Sequence, residues 1–133
     1  MFDLSEMTIQ NQTLNIIVGG TLADTAAHAA AAMQAIERGE AVQPHFGVNF
    51  EQIGQMLAAF TPKRWELIAA LREAGSLTVA ELARRLQRDY KNVHTDVGQL
   101  IGWMAVERGE DGRVSVPWSE IVVDLKLPQR KAA

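Results

Sequence analysis

Residues 78–104 read TVAELARRLQRDYKNVHTDVGQLIGWM, and this stretch decides the fold. Thr78 followed three residues later by Glu81 is a capping box, which satisfies two orphan donors at a helix start. Behind it Val79, Leu82, Ala83 and Leu86 recur at i, i+3, i+4 and i+7, one face of an amphipathic helix. Gln87-Arg88 makes a turn, and Asp89 is placed to cap a second helix over 90–104. Its inward positions are Val93, Val97, Leu100, Ile101 and Met104.

With those positions inward, Lys91, Thr95, Gly98 and Gly102 point outward, flanked by Asn92 and Gln99 on one side and His94 on the other. Two helices joined by a short turn, with a polar surface at the start of the second, match a helix-turn-helix, whose second helix enters the DNA major groove. Asn and Gln can bond adenine bidentately, and Lys can reach guanine acceptors or phosphate. Arg84, Arg85 and Arg88 lie where the motif crosses the phosphate backbone, Arg88 being the stronger candidate. Gly98 and Gly102 each cost a helix roughly 1 kcal/mol relative to Ala. Their presence implies either a close backbone approach or a shorter helix.

Downstream, AVERGEDGRVSV contains Asp111-Gly112, a hairpin-turn signal between two short extended runs. Val114 and Val116 alternate with Arg113 and Ser115. A helix-turn-helix followed by a hairpin predicts a winged helix. Arg108 and Arg113 bracket the tip, and Arg113 is the candidate phosphate contact. Glu110 and Asp111 at the apex oppose deep insertion. SEIVVDLKL over 119–127 alternates at Ile121, Val123, Leu125 and Leu127, which predicts a further strand, with a tail at 128–133.

Upstream, Thr61-Pro62 opens a helix, since Pro is tolerated at the first helical position. Trp65, Ile68 and Leu71 form its stripe, and Gly75 ends it. Asn49 is read as the cap of a short helix with Gln52 in the capping-box position. Ile53, Met56, Leu57 and Phe60 are its expected buried face. Residues 40–48 read as a connector. Residues 7–18 predict a strand with Leu14, Ile16 and Val18 on one face, ended by Gly19 and Gly20. Thr21 as cap, with Asp24 in the first turn, starts an Ala-rich helix to about Arg38, stopped by Gly39. Leu22, Ala26, Ala29, Met33 and Ile36 make its apolar stripe. Either that stripe packs on the protein's own core or it forms a dimer seam.

The expected class is therefore α+β: mainly helical, with a small hairpin wing, an N-terminal strand and a long Ala-rich helix. The expected units are 1–48, a dimerisation or partner-binding element, then 49–127, the DNA-binding domain, then the tail.

Composition bounds the chemistry. The chain has 133 residues, 47% hydrophobic, enough for a buried core. It has no cysteine, so no disulfide, thiol nucleophile or Cys-based zinc site, which fits a reducing cytoplasm. No apolar run approaches a membrane span, and the N-terminus lacks a signal peptide's basic and apolar parts. Net charge is −3. Residues 1–61 carry −5 and residues 62–104 carry +2, so the middle of the chain is its basic part. His28, His45 and His94 have no metal-ligand spacing, and His94-Thr95-Asp96 is too local for a triad. There is no phosphate loop or nucleophile elbow. The expectation is no enzyme, no metal and no cofactor.

The run TPKRWELIAALREAGSLTVAELARRLQRDYKNVHTDVGQLIGWMAVERGEDGRVSVPWSEI, residues 61–121, resembles a family of small prokaryotic winged-helix proteins regarded as transcriptional regulators. The motifs TPKR, ELARRL, RDYKNVHTDV and DGRVSVPW carry it, in order. The upstream strand, helix and RGEAVQPHFGVNFEQI resemble the family more loosely. The chain departs at Gly98, Gly102 and Met104, where the pattern has charged residues and a Leu-Gly end. The resemblance implies a MarR-like winged helix acting on double-stranded DNA, with Tyr90, Lys91, Asn92, His94 and Thr95 on the recognition helix. It also implies, more weakly, an antitoxin. The full expected contact set is Thr78, Arg88, Tyr90, Lys91, Asn92, His94, Thr95, Gln99 and Arg113. The expected protein is a DNA-binding repressor, acting as a homodimer. The alternative is an antitoxin whose acidic N-terminal half binds a toxin encoded nearby.

Overall fold

The computed structural model describes residues 12–20, 22–40 and 46–127. The expected strand residues 7–11, the Thr21 cap, His45 and the tail at 128–133 lie outside the described residues. The fold is α+β, in the order β1 (Thr13–Val18), α1 (Leu22–Glu37), β2 (Phe46–Phe50), α2 (Ile53–Ala59), α3 (Pro62–Ala74), β3 (Ser76–Leu77), α4 (Val79–Leu86), α5 (Tyr90–Gly102), β4 (Glu107–Arg108), β5 (Val114–Ser115) and β6 (Glu120–Leu125).

The strands form two three-stranded sheets, ordered β2-β1-β6 and β3-β5-β4. In the first, β1 is central and parallel to both neighbours, with Leu14 aligned to Phe46 on one side and Ile121 on the other. Its alternation comes out as expected: Leu14, Ile16 and Val18 are fully buried. Gly19 closes the strand at φ +79, where a side chain would overlap the Lys126 carbonyl oxygen. In the second sheet the Asp111-Gly112 turn joins β4 to β5, as the sequence predicts. β3, two residues between α3 and α4, adds to the free edge of β5.

Several boundaries differ from the sequence reading. The segment read as a connector ends in β2, because Phe46, Val48 and Phe50 find a long-range partner in β1. Asn49 therefore lies in a strand, and Gln52 takes the N-cap position. The Gln55 side chain accepts from the Gln52 N–H at 3.1 Å. The α2 face turns with it: Met56, Ala59 and Phe60 are buried, whereas Ile53 and Leu57 are exposed. One core cluster runs from Leu14 and Val48 through Leu67, Leu82 and Leu100 to Trp118. Rings stitch it together: Phe46 meets Trp118 at 5.1 Å, Phe50 meets Trp103 at 4.9 Å, and Phe60 stacks on Trp65 at 5.2 Å.

The α1 helix stands apart. Gly39 ends it at φ +78, and the Glu40 N–H donates back to the Ala35 carbonyl at 2.9 Å. Met33 and Ile36 are 64% and 62% exposed, so this end of its stripe is not covered by the protein's own core. Among the described residues, no helix is long and apolar enough to cross a membrane.

Candidate nucleic-acid interface

Local chemistry fixes where α4 and α5 start. Thr78 Oγ1 accepts from the Glu81 N–H at 3.1 Å, and the Glu81 carboxylate accepts from the Thr78 N–H at 3.2 Å. The Thr78 bonds, the largest influence, hold the Glu81 carboxyl below the usual range, and the Arg113 and Arg84 charges add to them. Thr78 is thus engaged as a cap. Gln87 adopts a left-handed conformation at φ 54 and ends α4. Asp89 then caps α5 by accepting from the Asn92 N–H at 3.3 Å.

α5 buries Val93, Val97 and Leu100 against the core. The opposite side presents Tyr90, Lys91, Asn92, His94, Thr95 and Gln99, all exposed. The Tyr90 and His94 rings lie 5.9 Å apart, and Thr95 Oγ1 donates to the Lys91 carbonyl at 3.0 Å. The six expected α5 residues are brought together on one solvent-facing surface. Gly98 and Gly102 continue that surface, and a Cβ at either would meet nothing within 4 Å. Among the described residues, no other segment packs against these glycines. The helix ends at Gly102, shorter than expected. Met104 lies beyond it at φ 69, half-exposed rather than inward. Its carbonyl instead accepts from Trp118 Nε1 at 2.7 Å.

Behind this surface lies a charged cluster that motif reading does not identify. Asp96 Oδ1 accepts from Arg64 Nε at 3.0 Å, and Oδ2 accepts from Arg88 Nη2 at 2.7 Å. The three side chains are only 14–18% exposed. Burial pushes the Asp96 carboxyl up, but the hydrogen bonds from Arg88 and Arg64 outweigh it and hold it below the usual range. Arg64 also donates to the Ala59 carbonyl at 2.8 Å, at the end of α2. One carboxylate on α5 therefore ties it to the start of α3 and to the α4–α5 turn. Arg88 is held against Asp96, and its Nη1 is buried without a hydrogen-bond partner among the described residues. A signal was present in the sequence: Arg64 is a cation in a helix's first turn, where the dipole disfavours it. Its partner proves to be inside the chain.

At the hairpin, Arg113 reaches Glu81 at 3.5 Å and Asp111 at 3.9 Å, so two carboxylates share it. Arg85 faces Glu73 at 3.6 Å. Lys63, Arg84, Lys91 and Arg108 are exposed and make no ion pair among the described residues.

A family model described as HVO_A0114 matches residues 59–123, just under half of the chain. The match begins at the end of α2 and reaches into β6, so it takes in the Asp96 cluster and the α5 surface. No curated protein matches the chain.

Proposed function

We propose that residues 62–115 form a winged helix-turn-helix and that the chain is a sequence-specific, double-stranded DNA-binding transcriptional regulator. α5 is the recognition helix, and the β4–β5 hairpin is the wing. The observation that carries this reading is the sidedness of α5. Val93, Val97 and Leu100 anchor it, while Lys91, Asn92, His94, Thr95 and Gln99 face solvent together. A buried ion cluster behind the helix holds such a surface in one orientation, which base readout requires because base-edge bonds are directional. Exposed cations at Arg84, Lys91 and Lys63 supply phosphate contacts around it. Net charge is −3, so binding depends on this placement and not on bulk attraction.

The test is fluorescence anisotropy on DNA from upstream of the chain's own gene, with random-sequence competitor at two salt concentrations. Salt-sensitive binding that survives competitor is the expected result, its slope counting the phosphate contacts. Binding lost entirely to competitor refutes sequence-specific recognition.

One observation favours a second reading, an antitoxin-like module that holds a protein partner. Met33 and Ile36 are exposed on α1 in the acidic half of the chain. Co-purification with the product of a neighbouring gene, abolished by Met33→Asp with Ile36→Asp, supports it. Truncation at residue 48 is no test, because it removes the buried β1.

A further inference from the structure

β6 is an edge strand with an unusual surface. Its inner edge pairs with β1, and its outer edge is unpaired among the described residues. Val122, Val123 and Leu125 are 37%, 42% and 41% exposed, so apolar side chains stand open on both faces. Exposed strand edges are ordinarily blunted by charged side chains, bulges, prolines or brevity, because an open edge templates pairing with another chain, and β6 carries only Glu120 and Asp124 of these. β6 is six residues long, with no proline and a regular register against β1. Lys126 extends the ladder by donating to the Val18 carbonyl at 3.0 Å.

We infer that β6 pairs antiparallel with β6 of a second copy of this chain, across a two-fold axis at Val123. Charge decides the register. A two-fold normal to the sheet must pass through one residue position, so each choice of centre fixes every pair. Centring on Val123 sets Glu120 opposite Lys126 twice, Ile121 opposite Leu125 and Val123 opposite itself. Centring on Val122 sets Glu120 against Asp124, and centring on Asp124 sets it against its own copy. Like charges directly opposite are destabilising. Centring on Leu125 also opposes unlike charges, Asp124 and Lys126, but among the described residues it engages only 123–127, so it leaves the first half of β6 unused. The Val123 register alone uses the whole strand and opposes unlike charges.

The same pairing resolves the open apolar row. Ile121, Val123 and Leu125 align with Leu14, Ile16 and Val18, and so share their face. A second copy doubles that row and continues the sheet through six strands. β1 cannot play this part, since both its edges are taken. This pairing stands independently of what the chain binds.

The test is sedimentation velocity of the full chain without DNA, with thermal melts to confirm folding. The wild type dimerises; Lys126→Glu and Glu120→Lys each raise the dimer Kd roughly tenfold, and the two together restore it to within about threefold. The chain has no cysteine. Val123→Cys therefore cross-links on mild oxidation, and Leu57→Cys, exposed elsewhere, does not. A monomeric wild type, a charge swap that fails to rescue, or equal cross-linking at both cysteines overturns the proposal. So does a dimer abolished by Met33→Glu and indifferent to residues 120 and 126, which places the seam on α1. None of these outcomes depends on DNA binding, so the regulatory reading stands or falls separately.

Discussion

Asp96 reaches back from α5 to Arg88 across the turn that separates α4 from α5, with Oδ2 and Nη2 2.7 Å apart. Its other oxygen holds Arg64 on α3. Removing the carboxylate leaves two guanidinium groups facing each other in a largely buried site. We expect Asp96→Ala to cost about 3 kcal/mol, in the range for breaking a buried pair by deleting one partner. Urea unfolding measures it, and an unchanged midpoint at unchanged slope refutes the role.

The same carboxyl gives the fold an acid limit. Its folded pKa is depressed below the unfolded value near 3.8, so its contribution is present above that value. The contribution is lost as pH falls through the folded value. We expect Asp96→Asn, already destabilised at neutral pH, to lose less further stability than the wild type as pH falls below about 4. Parallel stability curves for the two proteins would contradict this.

Gly98 sits on the exposed side of α5 with open space around it. Gly98→Ala should therefore stabilise the free protein by up to about 1 kcal/mol, seen as a higher Tm. If α5 docks closely in a major groove, the same methyl lowers DNA affinity while raising stability. The two readouts moving together in the favourable direction would show that the groove does not reach Gly98.

Under the proposed function, Asn92 is assigned to base readout and Arg84 to phosphate contact. Asn92→Ala should weaken cognate DNA by about 1–3 kcal/mol and leave random DNA nearly unchanged. Arg84→Ala should weaken both alike and lower the salt slope by about one. Competition anisotropy distinguishes them, and identical profiles refute the assignment.

Gly19 is required by its conformation. At φ +79, with the Lys126 carbonyl against it, Gly19→Ala should cost about 2–3 kcal/mol, read from thermal unfolding. A loss below about 0.5 kcal/mol would mean that β1 and β6 separate there at little cost.

The helical half is legible in the sequence because its determinants are local. Thr78 and Glu81, Asp89, Thr61-Pro62, Gly75 and Asp111-Gly112 each act within a few residues, and each marks the boundary the structure shows. The parallel sheet is not legible in the same way. Phe46-Gly-Val-Asn-Phe50 carries turn-forming residues at alternate positions, and only its pairing with β1 makes it a strand. β3 is two residues long and has no pattern of its own. Shifting the cap from Asn49 to Gln52 moved Ile53 and Leu57 to the surface. At the candidate site, helical periodicity suffices to bring Tyr90, Lys91, Asn92, His94, Thr95 and Gln99 to one face. The engagement of Arg88, by contrast, rests on Asp96, eight residues on, whose other oxygen holds Arg64 from 32 residues away, and helical periodicity does not report that convergence.

The pairing of Thr13–Val18 with Glu120–Leu125 also orders events in time. The second strand flanking β1 is made about a hundred residues after β1 itself. Segments whose contacts are local, from α3 to the hairpin, can assemble while β1 still lacks that flank, because short-range contacts close with less entropy loss. Until β6 arrives, Leu14, Ile16 and Val18 border an incomplete sheet. Nascent chains are therefore open to mispairing at β1 until β6 docks beside it and ends that exposure.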